Sequence, residues 1–277
     1  MHYVYWRRPG HCTDYRTGMR RRSSMDIDYR LDGHAGAPLL VLSNSLGTTF
    51  DMWQAQLPVL SEHFHVLRYN QRGHGATPLP TLPLRLEDLG QDVIALLDHL
   101  DAPSAHFCGI SMGGLTGLWL NRYHPQRIRR LVVANTAARI GSAEGWQQRA
   151  QQVRHSGLAP IAAASPARWF SEAFLQQHPE RVAPLVAGLA AGNAEGYAAC
   201  CDALALADLR AEIVSMTRPM RVIAGELDPV TTIADAEFLV ANAPNAELQC
   251  LPASHISNIA CPDLFNRSVV EFLSEKI

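Results

Sequence analysis

Three side chains of this 277-residue chain have the types and settings that nucleophilic acyl chemistry requires: Ser111, Asp228 and His255. Ser111 lies in Cys108-Gly109-Ile110-Ser111-Met112-Gly113-Gly114, with glycine two residues away on either side. A short apolar segment, Ala105 to Cys108, precedes it, and Leu115 to Tyr123 after it reads as helix. A strand that turns abruptly into a helix forces the serine into a strained backbone conformation, where neighbouring side chains would clash. The turn lifts the hydroxyl above the sheet edge, at the positive end of the following helix. The bland alternative is a glycine-rich helix start with an idle serine.

A serine hydroxyl is a poor nucleophile near neutral pH and needs a base, and the base needs an orienting group. Gly225-Glu226-Leu227-Asp228-Pro229 follows the apolar run Met220–Ala224, and Ser254-His255-Ile256-Ser257-Asn258 follows Ala246–Leu251. Asp228 is preferred to Glu226 as the acid because it lies deeper in its loop, just before the stiffening Pro229. Of twelve histidines, His255 is the expected base from its chain order and loop position. His63, His65, His99, His106, His124 and His178 fall on strands or helix ends, while His74, in Arg72-Gly73-His74-Gly75, is expected to brace a turn. A tetrahedral intermediate also needs donors for its oxyanion. The backbone N–H of Met112 supplies one, and Leu46 N–H, in the loop Ser43-Asn44-Ser45-Leu46-Gly47-Thr48, is assigned the other. The Asn44 and Ser45 side chains are expected to brace that loop.

The elements that must carry these residues alternate. Met25 to Leu31 reads as an edge strand turned by Asp32-Gly33, and Leu39–Leu42 and Val66–Tyr69 as buried strands. Leu86 to Leu100 is helical, with Leu89, Val93, Leu96, Leu97 and Leu100 on one face. The elbow strand and helix follow, then strand Ile128–Ala134. From about 137 to 219 the chain is alanine-rich and helical, without a convincing buried strand. The alternation resumes with strand Met220–Ala224, helix Thr232–Ala241, strand Ala246–Leu251 and helix Leu264–Glu275. This order predicts an α/β fold, a mostly parallel sheet covered on both faces. Residues 25–277 form one hydrolase-type domain, and 137–219 a helical cap over the site. A Gly-x-Ser-x-Gly turn between strand and helix, followed by acid and then histidine, is the nucleophile elbow and triad order of α/β-hydrolases.

Composition narrows the function. A hydrophobic fraction of 47% suits a single large core, and a net charge of -2 favours neither nucleic acid nor an anionic membrane. No apolar stretch reaches the length of a membrane span. Cys12, Cys108, Cys200, Cys201, Cys250 and Cys261 show neither zinc-site spacing nor a disulfide framework, so free cytoplasmic thiols are expected. Residues 1–24 carry Arg7, Arg8, Arg16, Arg20, Arg21 and Arg22 against Asp14, with no apolar core of a secretory signal. They read as a disordered arginine-rich extension outside the fold; a transit peptide, or sequence upstream of a start at Met19 or Met25, are the other readings.

From Met25 onward the chain resembles the 3-oxoadipate enol-lactonases among the α/β-hydrolases. The resemblance is carried by Ser43–Thr48, Met52-Trp53, Val66–Tyr69, Arg72–Gly75 and Gly109–Gly114. It continues through Ala134-Asn135-Thr136-Ala137-Ala138, Gly145-Trp146 and Ser254–Asn258. Asn70 departs from the family's usual aspartate, implying a weakened structural interaction. The resemblance implies a small anionic lactone as substrate, opened through an acyl-enzyme on Ser111 without metal or organic cofactor, in aromatic catabolism. An anionic substrate in a dry pocket calls for a cation. Arg139, Arg149 and Arg168 are the candidates, with Trp146 as an apolar wall. A general carboxylesterase, a carbon–carbon bond hydrolase and a haloperoxidase-type perhydrolase use the same catalytic residues. A small-ligand receptor with vestigial catalysis is the reading outside the hydrolases. Oligomeric state is not legible.

Overall fold

Apolar runs bounded by turn residues pair here into one seven-stranded sheet. In a computed structural model of the chain, the structure describes residues 26–79 and 83–275, so the N-terminal extension lies outside the described residues. The strands are β1 (Tyr29–Asp32), β2 (Leu39–Ser43), β3 (His65–Tyr69), β4 (Ala105–Ile110), β5 (Ile128–Ala134), β6 (Met220–Gly225) and β7 (Ala246–Leu251). Their spatial order is β1-β3-β2-β4-β5-β6-β7. β1 runs antiparallel to β3, and every other neighbouring pair is parallel. β4, in the middle, is buried along its whole length, whereas edge strand β7 mixes half-buried and exposed residues. That contrast is what a sheet covered on both faces requires of its centre and its edge.

Helices α1 (Leu57–His63), α2 (Leu86–His99), α3 (Met112–Tyr123), α10 (Ile233–Asn242) and α12 (Pro262–Ser274) cover the sheet, with short α11 (Ser257–Ala260) before α12. α3 packs on β4 and β5 with α2 behind it, and α10 packs on β6 and β7. α1 and α12 pack together, α1 on β3 and α12 on β5 and β7. The buried residues Phe265, Val269, Phe272 and Leu273 of α12 recur at helical spacing and turn its apolar stripe to the sheet. α1 had no counterpart in the sequence reading. The β4 strand and α3 also run closer to Ser111 than expected, ending at Ile110 and starting at Met112.

Between β5 and β6 lie α4 (Ala143–Ser156), α5 (Ala159–Ala164), α6 (Pro166–Trp169), α7 (Glu172–Gln177), α8 (Pro179–Ala190) and α9 (Ala194–Leu206). Side-chain oxygens of Ser142, Ser171 and Asn193 accept backbone N–H groups at the starts of α4, α7 and α9. α4 and α9 pack along each other, and Arg154 of α4 reaches Glu195 and Asp202 of α9 at 2.7 and 2.8 Å. Among the described residues no helix is long and apolar enough to cross a membrane.

Candidate active site

The order of strands places the site. β3 lies on one side of β2 and β4 on the other, so the chain direction across the sheet reverses between β2 and β4. Loops leaving the carboxyl ends of two such strands part company and open a crevice. The loop Ser43–Thr48 leaves β2 there, and Ser111 leaves β4.

Ser111 has φ 56° and ψ -117°, a left-handed backbone that is costly for a residue with a side chain. Its surroundings leave no room to relax. A Cβ at Gly109 would meet the Gly113 carbonyl oxygen at 2.3 Å, and one at Gly113 would meet the Ser43 carbonyl oxygen at 2.2 Å. The glycines therefore let strand, turn and the β2 loop close on one another. Ser111 N–H donates to Ala134 O at 2.9 Å, and Thr136 Oγ1 donates to Ser111 O at 2.8 Å. The elbow is thus pinned on both sides by the end of β5.

His255 Nε2 lies 2.9 Å from Ser111 Oγ, and His255 Nδ1 lies 2.8 Å from Asp228 Oδ2. All three residues are buried. Thr231 Oγ1 donates to Asp228 Oδ2 at 2.7 Å, while the Val230 and Thr231 N–H groups donate to Oδ1 at 2.8 and 3.1 Å. Burial alone would raise the Asp228 pKa. The histidine beside it, the Thr231 hydroxyl and the Val230 N–H outweigh that and hold it below the ordinary carboxylate value. An anionic Asp228 facing Nδ1 fixes the imidazole with its proton on Nδ1, leaving Nε2 free to accept from the serine. Glu226, the rival acid, is exposed.

Leu46 and Met112 N–H find no acceptor among the described residues. Leu46 shares a cavity with Ser111, and Met112 directly follows Ser111 at the start of α3. The β2 loop is held from β3 and the residues after it. Asn44 Nδ2 donates to Tyr69 O at 2.9 Å and Gln71 Nε2 to Asn44 O at 2.7 Å, while Asn44 Oδ1 accepts from Trp53 Nε1 at 2.8 Å. His74 does more than brace its own turn. Its Nδ1 lies 3.1 Å from Arg72 O, and its Nε2 accepts from Gly47 N–H at 3.1 Å. Burial lowers its pKa, which keeps Nε2 unprotonated for that bond. Asn70 is bonded through both side-chain atoms: Oδ1 accepts from Phe50 N–H and Nδ2 donates to Asp28 Oδ2, both at 2.8 Å.

A cavity of about 280 Å³ opens over the serine, just below the ~300–1,000 Å³ usual for small-molecule sites. Ser111, His255 and Leu46 form its floor. Trp146 and Arg149 of α4, Ser165, Arg168 of α6 and Tyr197 of α9 line it from the insertion. Arg149 stacks on Trp146, its guanidinium carbon 5.1 Å from the ring centre. Arg168 donates to Ser165 Oγ at 3.1 Å, and that hydroxyl in turn donates to Ile161 O. Among the described residues neither arginine forms an ion pair with a carboxylate. Burial, and then the positive charge of Arg149, lower the Arg168 pKa. Arg139 is elsewhere. It lines no part of this cavity and lies 3.8 Å from Asp208, which satisfies its charge near the surface. Sequence reasoning did not single out Ser165, Tyr197 or Thr231, and a hydroxyl on a helix or loop gives no spacing signal that would have done so. A second cavity, of about 490 Å³, lies beyond Gly47 between Met52, Arg181 and Leu185 and contains none of the triad residues.

Residues 38–260 match the model of the alpha/beta hydrolase fold family. The chain is 51% identical over 243 residues to 3-oxoadipate enol-lactonase 2 of Acinetobacter baylyi, covering 88% of this chain and 91% of that protein. The chain belongs to the 3-oxoadipate enol-lactonase family of α/β-hydrolases. A second A. baylyi member, 3-oxoadipate enol-lactonase 1, is 42% identical, again over 88% of this chain and 91% of its own length. Among solved structures, the crystal structure of the enol-lactonase from Burkholderia xenovorans LB400 superposes with a TM-score of 0.88 at 44% identity, covering 90% of this chain and 96% of that one. The family's fold is therefore present over nearly all of the described chain.

Proposed function

We propose that this protein hydrolyses 3-oxoadipate enol-lactone to 3-oxoadipate through an acyl-enzyme on Ser111. The observation that carries the substrate reading is the pair Arg149 and Arg168, two cations without carboxylate partners among the described residues, in the cavity that holds the serine. Unpaired guanidinium in a confined site is poorly solvated, and a substrate carboxylate relieves that. A neutral ester offers nothing to either arginine. The relatives' shared activity points the same way.

In the first half-reaction Ser111 Oγ attacks the lactone carbonyl while His255 Nε2 takes its proton. Leu46 and Met112 N–H receive the oxyanion, and anionic Asp228 stabilises the imidazolium. The ring C–O bond breaks as the tetrahedral intermediate collapses, and His255 returns its proton to the leaving enol oxygen. The freed enol tautomerises to the ketone. Water, deprotonated by His255, then attacks the acyl carbon, and Ser111 leaves with the proton returned to it. The substrate carboxylate stays on the arginines, so the product is a dicarboxylate. The helical insertion acts as the cap that carries these contacts. The described cysteines Cys108, Cys200, Cys201, Cys250 and Cys261 are free thiols, which supports a cytoplasmic setting.

The test is turnover of the enol-lactone by wild type, Ser111→Ala and Arg168→Gln. The reading predicts activity that Ser111→Ala abolishes and that loses affinity in Arg168→Gln. Tight binding of the lactone with no turnover in wild type would instead favour a receptor.

A further inference from the structure

We infer that Asn135 is a positioning residue of this site, holding the acid and the base loop in register through one carboxamide. The inference rests on the triad reading above. Asn135 is the first residue after β5, and its φ of 46° is left-handed, a conformation uncommon for any residue but glycine. Its N–H is fixed to Ile223 O at 2.8 Å. From there its side chain reaches both partner loops. Nδ2 donates to Asp228 Oδ2 at 3.0 Å and to Ser254 O at 3.1 Å, while Oδ1 accepts from Ser257 Oγ at 2.5 Å. Ser254 and Ser257 flank His255, so one amide grips the acid directly and the base through its loop on both sides. The orientation of the amide is settled by its partners, because only its nitrogen can face a carboxylate and a carbonyl at once.

The surroundings are shaped around this group. Asn135 is buried, and every donor and acceptor of its side chain has a partner. A Cβ at Gly225 would meet Ser254 O at 2.5 Å and Ala253 O at 2.6 Å, and Asn135 Nδ2 at 2.9 Å, so that glycine lets the base loop close on the end of β6 with the amide beside it. Asp228 Oδ2, the oxygen that faces His255 Nδ1, thus receives two further donors, from Asn135 and Thr231. Each stabilises the carboxylate and moderates its pull on the imidazole proton. Removing the Asn135 donor should leave a more basic Asp228 that pulls harder on the imidazole proton it faces.

The experiment measures kcat and KM across the pH range for wild type, Asn135→Gly, Ser257→Ala and Ser111→Ala. Its substrate is p-nitrophenyl acetate, which avoids any dependence on the lactone. Asn135→Gly deletes the carboxamide while tolerating the left-handed backbone, and Ser257→Ala only frees the amide to turn. The expected result is a kcat lower by about 10- to 100-fold in Asn135→Gly, with KM little changed. The acidic limb of its pH profile should move to higher pH, with a smaller change of both kinds in Ser257→Ala. An acidic limb that stays in place in both variants would overturn the inference, whatever the fall in rate, and would leave Asn135 a merely structural role. If Ser111→Ala retains turnover, the triad reading itself fails, a different result from an unaltered Asn135→Gly.

Discussion

At the scale of single residues, the site depends on a serine held where its backbone does not want to be. Ser111 keeps its left-handed φ because the Gly109–Gly113 contact, the Ala134 carbonyl and the Thr136 hydroxyl leave it no alternative. Ser111→Ala and His255→Ala should each lower kcat by several orders of magnitude with KM nearly unchanged, as steady-state kinetics on the lactone would show. Asp228→Asn should cost on the order of 10³–10⁴ in kcat, because an amide at 228 can hold the imidazole in the wrong tautomer. The arginines should behave differently. Arg168→Gln should raise KM for the carboxylated lactone by roughly 10- to 100-fold, the value of a charge-assisted bond, and leave a neutral aryl ester almost unaffected. An equal loss on both substrates would show that Arg168 supports the cap and does not bind the carboxylate.

At the scale of elements, Ser111, Asp228, His255 and the Leu46 loop stand at the carboxyl edge of the sheet, after β4, β6, β7 and β2, with the loop after β5 bridging them and the arginines coming from the insertion. The loop after β3 contributes His74, whose bond to Gly47 holds the β2 loop next to Leu46, a residue that lines the cavity. His74→Ala should lower kcat about 10-fold by loosening that donor, and His74→Gln, which can present an amide oxygen to Gly47, should restore part of the rate. Equal rates in the wild type and the alanine variant would remove His74 from the account. The strands were legible because β2, β4 and β6 are apolar runs closed by turn residues, and the elbow was legible because its glycines are steric necessities. α1 escaped because it is seven residues long, begins with a proline in its first turn and buries only Leu60, so no period shows. The insertion reads as helical from its alanines, but helices as short as four residues have no stripe to mark where one ends. Arginine type alone gives no direction either. Arg168 and Arg139 look equivalent in sequence, and only packing shows that one faces Ser165 and the other Asp208.

At the scale of the whole molecule, buried histidines should tie stability to pH. His106, on β4, has a buried Nδ1 with no partner among the described residues. Burial, then the charges of Arg129 and Arg130, lower its pKa to about 4. In the unfolded chain it titrates near the ordinary value of about 6.5. Below that pH the unfolded state binds a proton that the fold refuses, so stability is full above about 6.5 and falls as pH drops towards about 4, by up to about 3 kcal/mol. Urea unfolding on both sides of that window should show the loss, and His106→Leu should flatten it; an unchanged slope would contradict the assignment. The balance of the molecule, with a net charge of -2, supplies no strong field to draw in an anion, so selectivity for a carboxylated substrate must come from the cavity itself. The most direct test of that central claim is a competition for the same enzyme between 3-oxoadipate enol-lactone and a neutral aryl ester. The account predicts a kcat/KM for the lactone higher by at least about 10-fold, with the advantage lost when Arg149 and Arg168 are both replaced by glutamine. Faster cleavage of the neutral ester, unaffected by the two substitutions, would contradict it and make the protein a general esterase.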